Sequence, residues 1–336
     1  MLHSTVSFGA YNTRVKRRRF LSAALAGAVA HGSELLASDA VDVPIIDSHI
    51  HLFDVGRPQS VPWPPKSSSI YKSALPERYR KVAAPFGVVG AIEIECSPWP
   101  NDNWWVLDIA ARDRIIVGTI GDLEPAAPEF GKQLERLHKN PLFRGIRYGN
   151  LWNRDLSAQI SNAAFIDNLK HLAAAGLVLD TANPDPKRIH AVVRLSDRIL
   201  NLKIVIDHLP ELAPPEDSAG RKELDADLQR LGQRPEIFGK VSGIVRRVHG
   251  HVPLRLDFYR DRLDQIWEVF GPDRLLYGSD WPNSDLWAQY RDVFRLAKEF
   301  ISLKGSVAMQ KFYWKNSLRA YSWAKRDASQ NCSACV

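Results

Sequence analysis

Cysteine is scarce in this chain, with three in 336 residues. Cys332-Ser333-Ala334-Cys335 has Cys-x-x-Cys spacing but no second pair elsewhere, so a four-cysteine zinc site is excluded. In an oxidising compartment that pair can close as a tail disulfide. Cys96, at the end of an apolar stretch, reads as a small buried side chain. Long hydrophobic runs are missing as well. No segment approaches the eighteen apolar residues of a membrane-spanning helix, so no stable membrane span is expected. A long basic run is also lacking. The net charge is +7, but Arg14, Lys16, Arg17, Arg18 and Arg19 are concentrated in the first forty residues against Glu34 and Asp39. The rest of the chain holds 40 basic and 36 acidic residues, interspersed. A nucleic-acid partner is therefore not expected.

The basic cluster has a different reading. Arg17-Arg18-Arg19-Phe20-Leu21 precedes the short apolar, small-residue run Ser22–Ala30. That pattern resembles a twin-arginine export signal, with Ser38-Asp39-Ala40 offering small residues for cleavage. Residues 1–40 are thus expected to engage export machinery and direct the protein to the periplasm or outside the cell. The alternative is a basic, disordered N-terminus and a cytoplasmic protein.

With 45% hydrophobic residues, the chain can bury a full core. The segment that organises the rest is Pro44-Ile45-Ile46-Asp47-Ser48-His49-Ile50-His51, a β-branched run ending in two histidines two apart. A strand places residues i and i+2 on one face, so both imidazoles point the same way. A proline-rich loop, Leu52 to Pro85, follows and should lie over that end, with Trp63 anchoring it or shaping a pocket. Beyond it strands alternate with helices. The strands read as Val88–Glu95, Ile115–Ile120, Phe143–Tyr148, Leu177–Thr181, Lys203–His208, Ile237–Ser242 and Arg274–Asp280. Eight β/α units in roughly 260 residues match an α/β fold of the (β/α)₈ TIM-barrel type, in preference to a doubly wound sheet. The expected organisation is the signal-like segment 1–40, a single barrel domain over 41–324, and a flexible tail over 325–336. The amphipathic stretch Val307–Tyr321 is expected to cap or buttress the barrel.

Three distant strands deliver ligand-type residues at the same end. His49 and His51 end the first, His208 the sixth and Asp280 the eighth. Barrel active sites are built at that C-terminal mouth. Asp280 is the natural general base for activating water. His208 suits polarising a carbonyl or binding a metal. Three histidines and one aspartate suffice for a zinc-type site with an open position for water.

The motifs Ile46-Asp47-Ser48-His49-Ile50-His51-Leu52-Phe53-Asp54, Ile206-Asp207-His208-Leu209-Pro210 and Gly278-Ser279-Asp280-Trp281-Pro282 resemble those of the amidohydrolase superfamily. Phe143-Arg144-Gly145-Ile146-Arg147 and Trp314-Lys315-Asn316-Ser317-Leu318-Arg319-Ala320-Tyr321 are similar to the fourth strand and terminal helix of its amidohydrolase-2 branch. That branch includes sugar lactonases, a pyrone-dicarboxylate lactonase and decarboxylases. The resemblance spans roughly residues 44–322. It implies a hydrolase opening the lactone of a sugar acid or an aromatic-degradation intermediate, with a small carboxylate or sugar-lactone substrate. The alternatives are a nonoxidative decarboxylase of an aromatic or muconate-like acid and an inactive ligand-binding barrel. Metal-dependent relatives place a carboxylated lysine or Glu on strand 4 and a His on strand 5. Here those strands end Ile146-Arg147-Tyr148 and Leu179-Asp180-Thr181. A binuclear centre is therefore not expected, while one divalent metal on His49, His51, His208 and Asp280 and a metal-free site both stay open. Absence of the strand-5 His counts against a decarboxylase.

Candidate substrate contacts come from the remaining strand ends. Arg147 can clamp a carboxylate bidentately or pair with a barrel carboxylate. Asp180 and Asn183 are placed to hydrogen-bond a hydroxylated ring, and Trp99, Trp152 and Trp281 to offer aromatic faces. Arg246, His249 and His251 follow strand 7 and are candidates for the pocket rim. The oligomeric state is not legible.

Overall fold

The computed structural model describes residues 43–330. The export-like segment 1–40 and the pair Cys332 and Cys335 lie outside the described residues. The strands are β1 (Ile45–Ile50), β2 (Val88–Ile94), β3 (Ile116–Gly121), β4 (Phe143–Arg147), β5 (Val178–Thr181), β6 (Lys203–Ile206), β7 (Ile237–Val241) and β8 (Leu275–Tyr277). They pair in parallel in sequence order. The ends meet where Ile50 bridges Trp281, His51 N–H donates to the Trp281 carbonyl at 2.8 Å, and Asp280 N–H donates to the His49 carbonyl at 2.9 Å. The barrel is thus of the (β/α)₈ type, closed at the mouth by β1 and the segment after β8.

The alternating helices are α1 (Pro76–Ala83), α2 (Asp102–Arg112), α3 (Phe130–His138), α4 (Leu156–Gln159), α5 (Ala163–Ala174), α6 (Pro186–Arg198), α7 (Ser218–Gly232), α8 (Leu256–Phe270), α9 (Tyr290–Ser302), α10 (Ser306–Gln310) and α11 (Asn316–Tyr321). Their starts follow from local chemistry. The Asn162 side chain accepts from Ala164 and Phe165 N–H to cap α5, and Asp185 accepts from Arg188 N–H ahead of Pro186 to cap α6. The loop after β1 is less irregular than its proline content suggests. Pro76 occupies the first turn of α1, where its missing N–H costs nothing.

Two apolar layers hold the fold. Inside the barrel lie Ile46, Ile92, Ile94, Val117, Val178, Val205, Phe238 and Leu276. Trp314, Tyr321 and Trp323 join this cluster, so the stretch expected to cap the barrel does contribute to its core. The larger outer layer packs strands on helices. Strands buried on both faces read as continuous apolar runs, which is why they were legible. Two glycines permit close approaches. A Cβ on Gly145 would come within 2.2 Å of the Val178 carbonyl oxygen on β5, and one on Gly278 within 2.8 Å of the His49 Cβ. Gly278 therefore lets the end of β8 lie directly against the histidine-bearing strand.

The segment expected to fray from residue 325 is instead held down over its described part. Arg326 donates to the carbonyls of Asp113 (2.9 Å) and Ile116 (2.7 Å). The buried Gln330 amide donates to Val89 (2.9 Å) and Arg114 (3.0 Å). Strand-start carbonyls of β2 and β3 need donors, and this segment supplies them.

Candidate active site

The pairing of β1 with β2 shifts register between Asp47 and Ile50. Asp47 at this irregularity ties β1 to its neighbours. Its Oδ1 accepts from Ser279 N–H (2.8 Å) and His49 N–H (3.2 Å), and its Oδ2 from the hydroxyls of Tyr79 (2.8 Å) and Tyr290 (3.1 Å). Burial raises this carboxyl above its ordinary range, against the opposing pull of those hydrogen bonds. His49 and His51 follow with ring centroids 5.0 Å apart and nearly perpendicular, and His208 lies 4.5 Å from His49.

Asp280 completes the group. Its Oδ1 lies 3.2 Å from His51 Nε2 and 3.6 Å from His49 Nε2, while its Oδ2 accepts from Asn283 Nδ2 at 2.7 Å. His208 and Asp280 both adopt left-handed backbone conformations (φ 52° and 59°) where the chain turns off β6 and β8. Strain of this kind is retained where surroundings over-determine it. Burial pushes the Asp280 carboxyl up, but His208, His51 and His49 outweigh it and hold the group below the ordinary carboxylate range. Asp280 is thus ionised at neutral pH. Burial drives His49 well below the usual imidazole range, with Lys240 and His208 adding to it against Asp207.

The four residues singled out from strand ends are therefore brought together at the mouth. The candidate substrate contacts fare differently. Arg147 is buried, its Nε donating to Glu95 Oε1 at 2.9 Å, with a further bond to the Glu95 carbonyl and Nη1 3.8 Å from Asp207 Oδ2. The ion-pair alternative is the one adopted, and the free clamp is not. Asp180 is wholly buried, bound to Lys240 (2.6 Å) and the Tyr321 hydroxyl (2.9 Å), out of a ligand's reach. Trp281 is likewise fully buried against Tyr79, because it fills the closing seam rather than facing a pocket. Asn183 is exposed and donates to the Asn150 carbonyl at 3.0 Å. Arg246 is exposed on the loop after β7, its guanidinium 5.7 Å from the Phe258 ring. Trp152 reaches Glu95 Oε2 at 3.0 Å. Trp63 contacts His51 and Phe53 edge to face, anchoring the loop and shaping a cavity at once. That cavity is also lined by Arg57, Glu95, Asp102 and Trp105.

Sequence reasoning missed Lys240, Asp207 and Glu95. Lys240 on β7 is fully buried, with Nζ 2.6 Å from Asp180 Oδ2, 2.9 Å from Asp207 Oδ1 and 3.3 Å from His49 Nδ1. Burial lifts Asp180 to about 7, with Asp207 repelling it and Lys240 opposing. Asp207 is buried too, yet Lys240 and His49 hold it below the ordinary range. A lysine in a strand buried on both faces must be paired. That was the available signal.

The donor set fits a divalent metal. His49, His51 and Asp280 each offer one ligand atom within 4.8 Å of the others, as do His49, Asp207 and His208. His51 Nδ1 meets the Ile94 carbonyl at 2.8 Å, and a carbonyl only accepts, so Nδ1 carries the proton. The Nε2 lone pair then faces the Asp280 carboxylate, an arrangement that requires a cation or a proton between them. His49 Nε2, buried beside the same carboxylate, has no hydrogen-bond partner.

An eight-stranded barrel with a histidine–aspartate cluster at its mouth defines the class of barrel hydrolases. The amidohydrolase family model (Amidohydro_2) matches residues 46–323, and the chain belongs to that family. It is 27% identical over 256 residues to an L-fucono-1,5-lactonase of Burkholderia ambifaria, an alignment covering 74% of this chain and 83% of that one. Its fold is similar to a crystallised amidohydrolase from Burkholderia multivorans with bound zinc (TM-score 0.72, 22% identity, 84% of this chain and 100% of that one). It is also similar to a putative 2-pyrone-4,6-dicarboxylic acid hydrolase from Pseudomonas putida (TM-score 0.63, 21% identity, 83% and 98%).

Proposed function

We propose that the protein hydrolyses the lactone of a sugar acid. The observation that carries this reading is the Asp280 carboxylate set 3.2 Å from His51 and 3.6 Å from His49, with His208 beside them, at the barrel mouth of a chain whose relatives include an L-fucono-1,5-lactonase. Asp280 takes a proton from water as the oxygen attacks the lactone carbonyl carbon. The Ser242 hydroxyl lies 2.9 Å from His208 Nδ1; in the tautomer in which that hydroxyl donates, His208 Nε2–H donates to the carbonyl oxygen as negative charge gathers there. The ring C–O bond then breaks, and the proton held by Asp280 passes to the departing ring oxygen, giving a hydroxy acid. When bound by His49, His51 and Asp280, a divalent metal supplies Lewis-acid polarisation and a more acidic water.

The decarboxylase alternative is less well supported: a 5-carboxyvanillate decarboxylase shares the fold at a lower TM-score (0.56, 14% identity), and the lactonase relatives match by sequence. β5 presents Asp180, locked onto Lys240 and Tyr321, in place of a metal-binding histidine. A panel of five- and six-membered sugar-acid lactones, followed by acid release, should include a substrate turned over by the purified protein. An aromatic-acid panel run alongside should release no carbon dioxide. Carbon dioxide from the acids, with every lactone inert, would overturn the reading.

A further inference from the structure

Lys240 is used by no step above, yet it lies at the centre of a fully buried polar cluster. Its ammonium has donors only. At 3.3 Å from His49 Nδ1, it makes that nitrogen the acceptor and leaves the proton of the neutral ring on Nε2. Nε2 is the atom that faces Asp280, at 3.6 Å. A protonated Nε2 donates to Asp280 or to a developing oxyanion, but it cannot ligate a metal. Metal ligation by His49 Nε2 needs the other tautomer, with Nδ1–H directed at a carboxylate. Asp207 Oδ1 lies 3.5 Å away in position to accept it, and is itself held 2.9 Å from the Lys240 ammonium. Lys240 and Asp207 therefore compete for one nitrogen, and their competition decides whether the first histidine is a donor or a ligand.

We propose that Lys240 is a positioning residue that holds His49 as the Nε2–H tautomer and so weakens metal binding at this site. Its fixed positive charge, buried among Asp180, Asp207 and His49, also opposes a second cation at the mouth. The inference rests on the same histidine–aspartate cluster as the lactonase reading, but its test needs no substrate.

Zinc affinity is measured by competition with a chromophoric chelator for the full protein and for Lys240→Met. Loss of the lysine should tighten zinc binding by at least about tenfold, the scale of outer-shell effects on a metal site. A purely structural lysine would give the opposite sign, since a loosened site binds metal less well. Unchanged or weaker zinc binding in a folded Lys240→Met would overturn the proposal. Because Lys240→Met strands two carboxylates, Lys240→Met/Asp180→Asn is measured beside it, with the same expectation. In the unsubstituted, metal-free protein, two-bond ¹H–¹⁵N correlations of the imidazoles must show the His49 proton on Nε2, and a proton on Nδ1 would also overturn it. Failure of every lactone to react would remove the lactonase reading and leave the zinc result standing.

Discussion

Asp280→Asn should lower kcat by at least about 10²-fold, the scale expected for losing a general base. The fold and substrate binding should change far less. Asn keeps the shape of the side chain and can turn its amide oxygen toward Asn283, which now donates to Asp280 Oδ2 at 2.7 Å. What it cannot do is accept a proton from water. The comparison also fixes the sign of the pH dependence. Because the histidines hold the Asp280 carboxyl below its ordinary range, the base form persists as pH falls. The unsubstituted protein should show no acid limb from this carboxylate between about pH 5 and 8. Near-normal turnover by Asp280→Asn on a confirmed substrate would demote the carboxylate to a ligand or a structural group.

Arg147→Met should act on stability before it acts on recognition. The guanidinium sits between Glu95 and Asp207, and all three are buried. Its removal leaves Glu95 without its cation, while Asp207 keeps Lys240 at 2.9 Å. Breaking a buried pair from one side costs about 3–5 kcal/mol, which in a domain this size lowers Tm on the order of 10 °C. Neutralising the stranded partner in Arg147→Met/Glu95→Gln should recover part of that loss. If Arg147→Met melts normally and only raises KM, the arginine faces the substrate after all, and the ion pair seen here is dispensable.

These two residues show where the sequence was legible and where it was not. Asp280, His49, His51 and His208 could be found because each ends an apolar strand, and a parallel barrel sends all such ends to one mouth. Arg147 and Asp180 end strands in the same way, yet their side chains are consumed by Glu95 and Lys240. Position along a strand does not reveal whether a charged group keeps a free face, because that depends on partners over fifty residues away in the chain. Trp281 failed for a related reason. Its indole fills the seam where β8 returns to β1, a contact only closure of the barrel creates. Lys240 was overlooked because Ile237-Phe238-Gly239-Lys240-Val241 looks like an ordinary strand with one polar residue facing water. In a barrel neither face meets water, so a lone lysine there implies buried counter-charges. The docked segment ending at Gln330 was missed because its hold depends on unpaired strand-start carbonyls, which no local pattern displays.

The most direct test of lactone opening by water at Asp280 is a single turnover measurement in oxygen-18 water with a sugar-acid 1,5-lactone. Mass spectrometry of the product should show the hydroxy acid with one heavy oxygen in its carboxylate and no carbon dioxide released, at a rate that collapses in Asp280→Asn. Loss of carbon dioxide would contradict it, as would a product formed equally fast by Asp280→Asn.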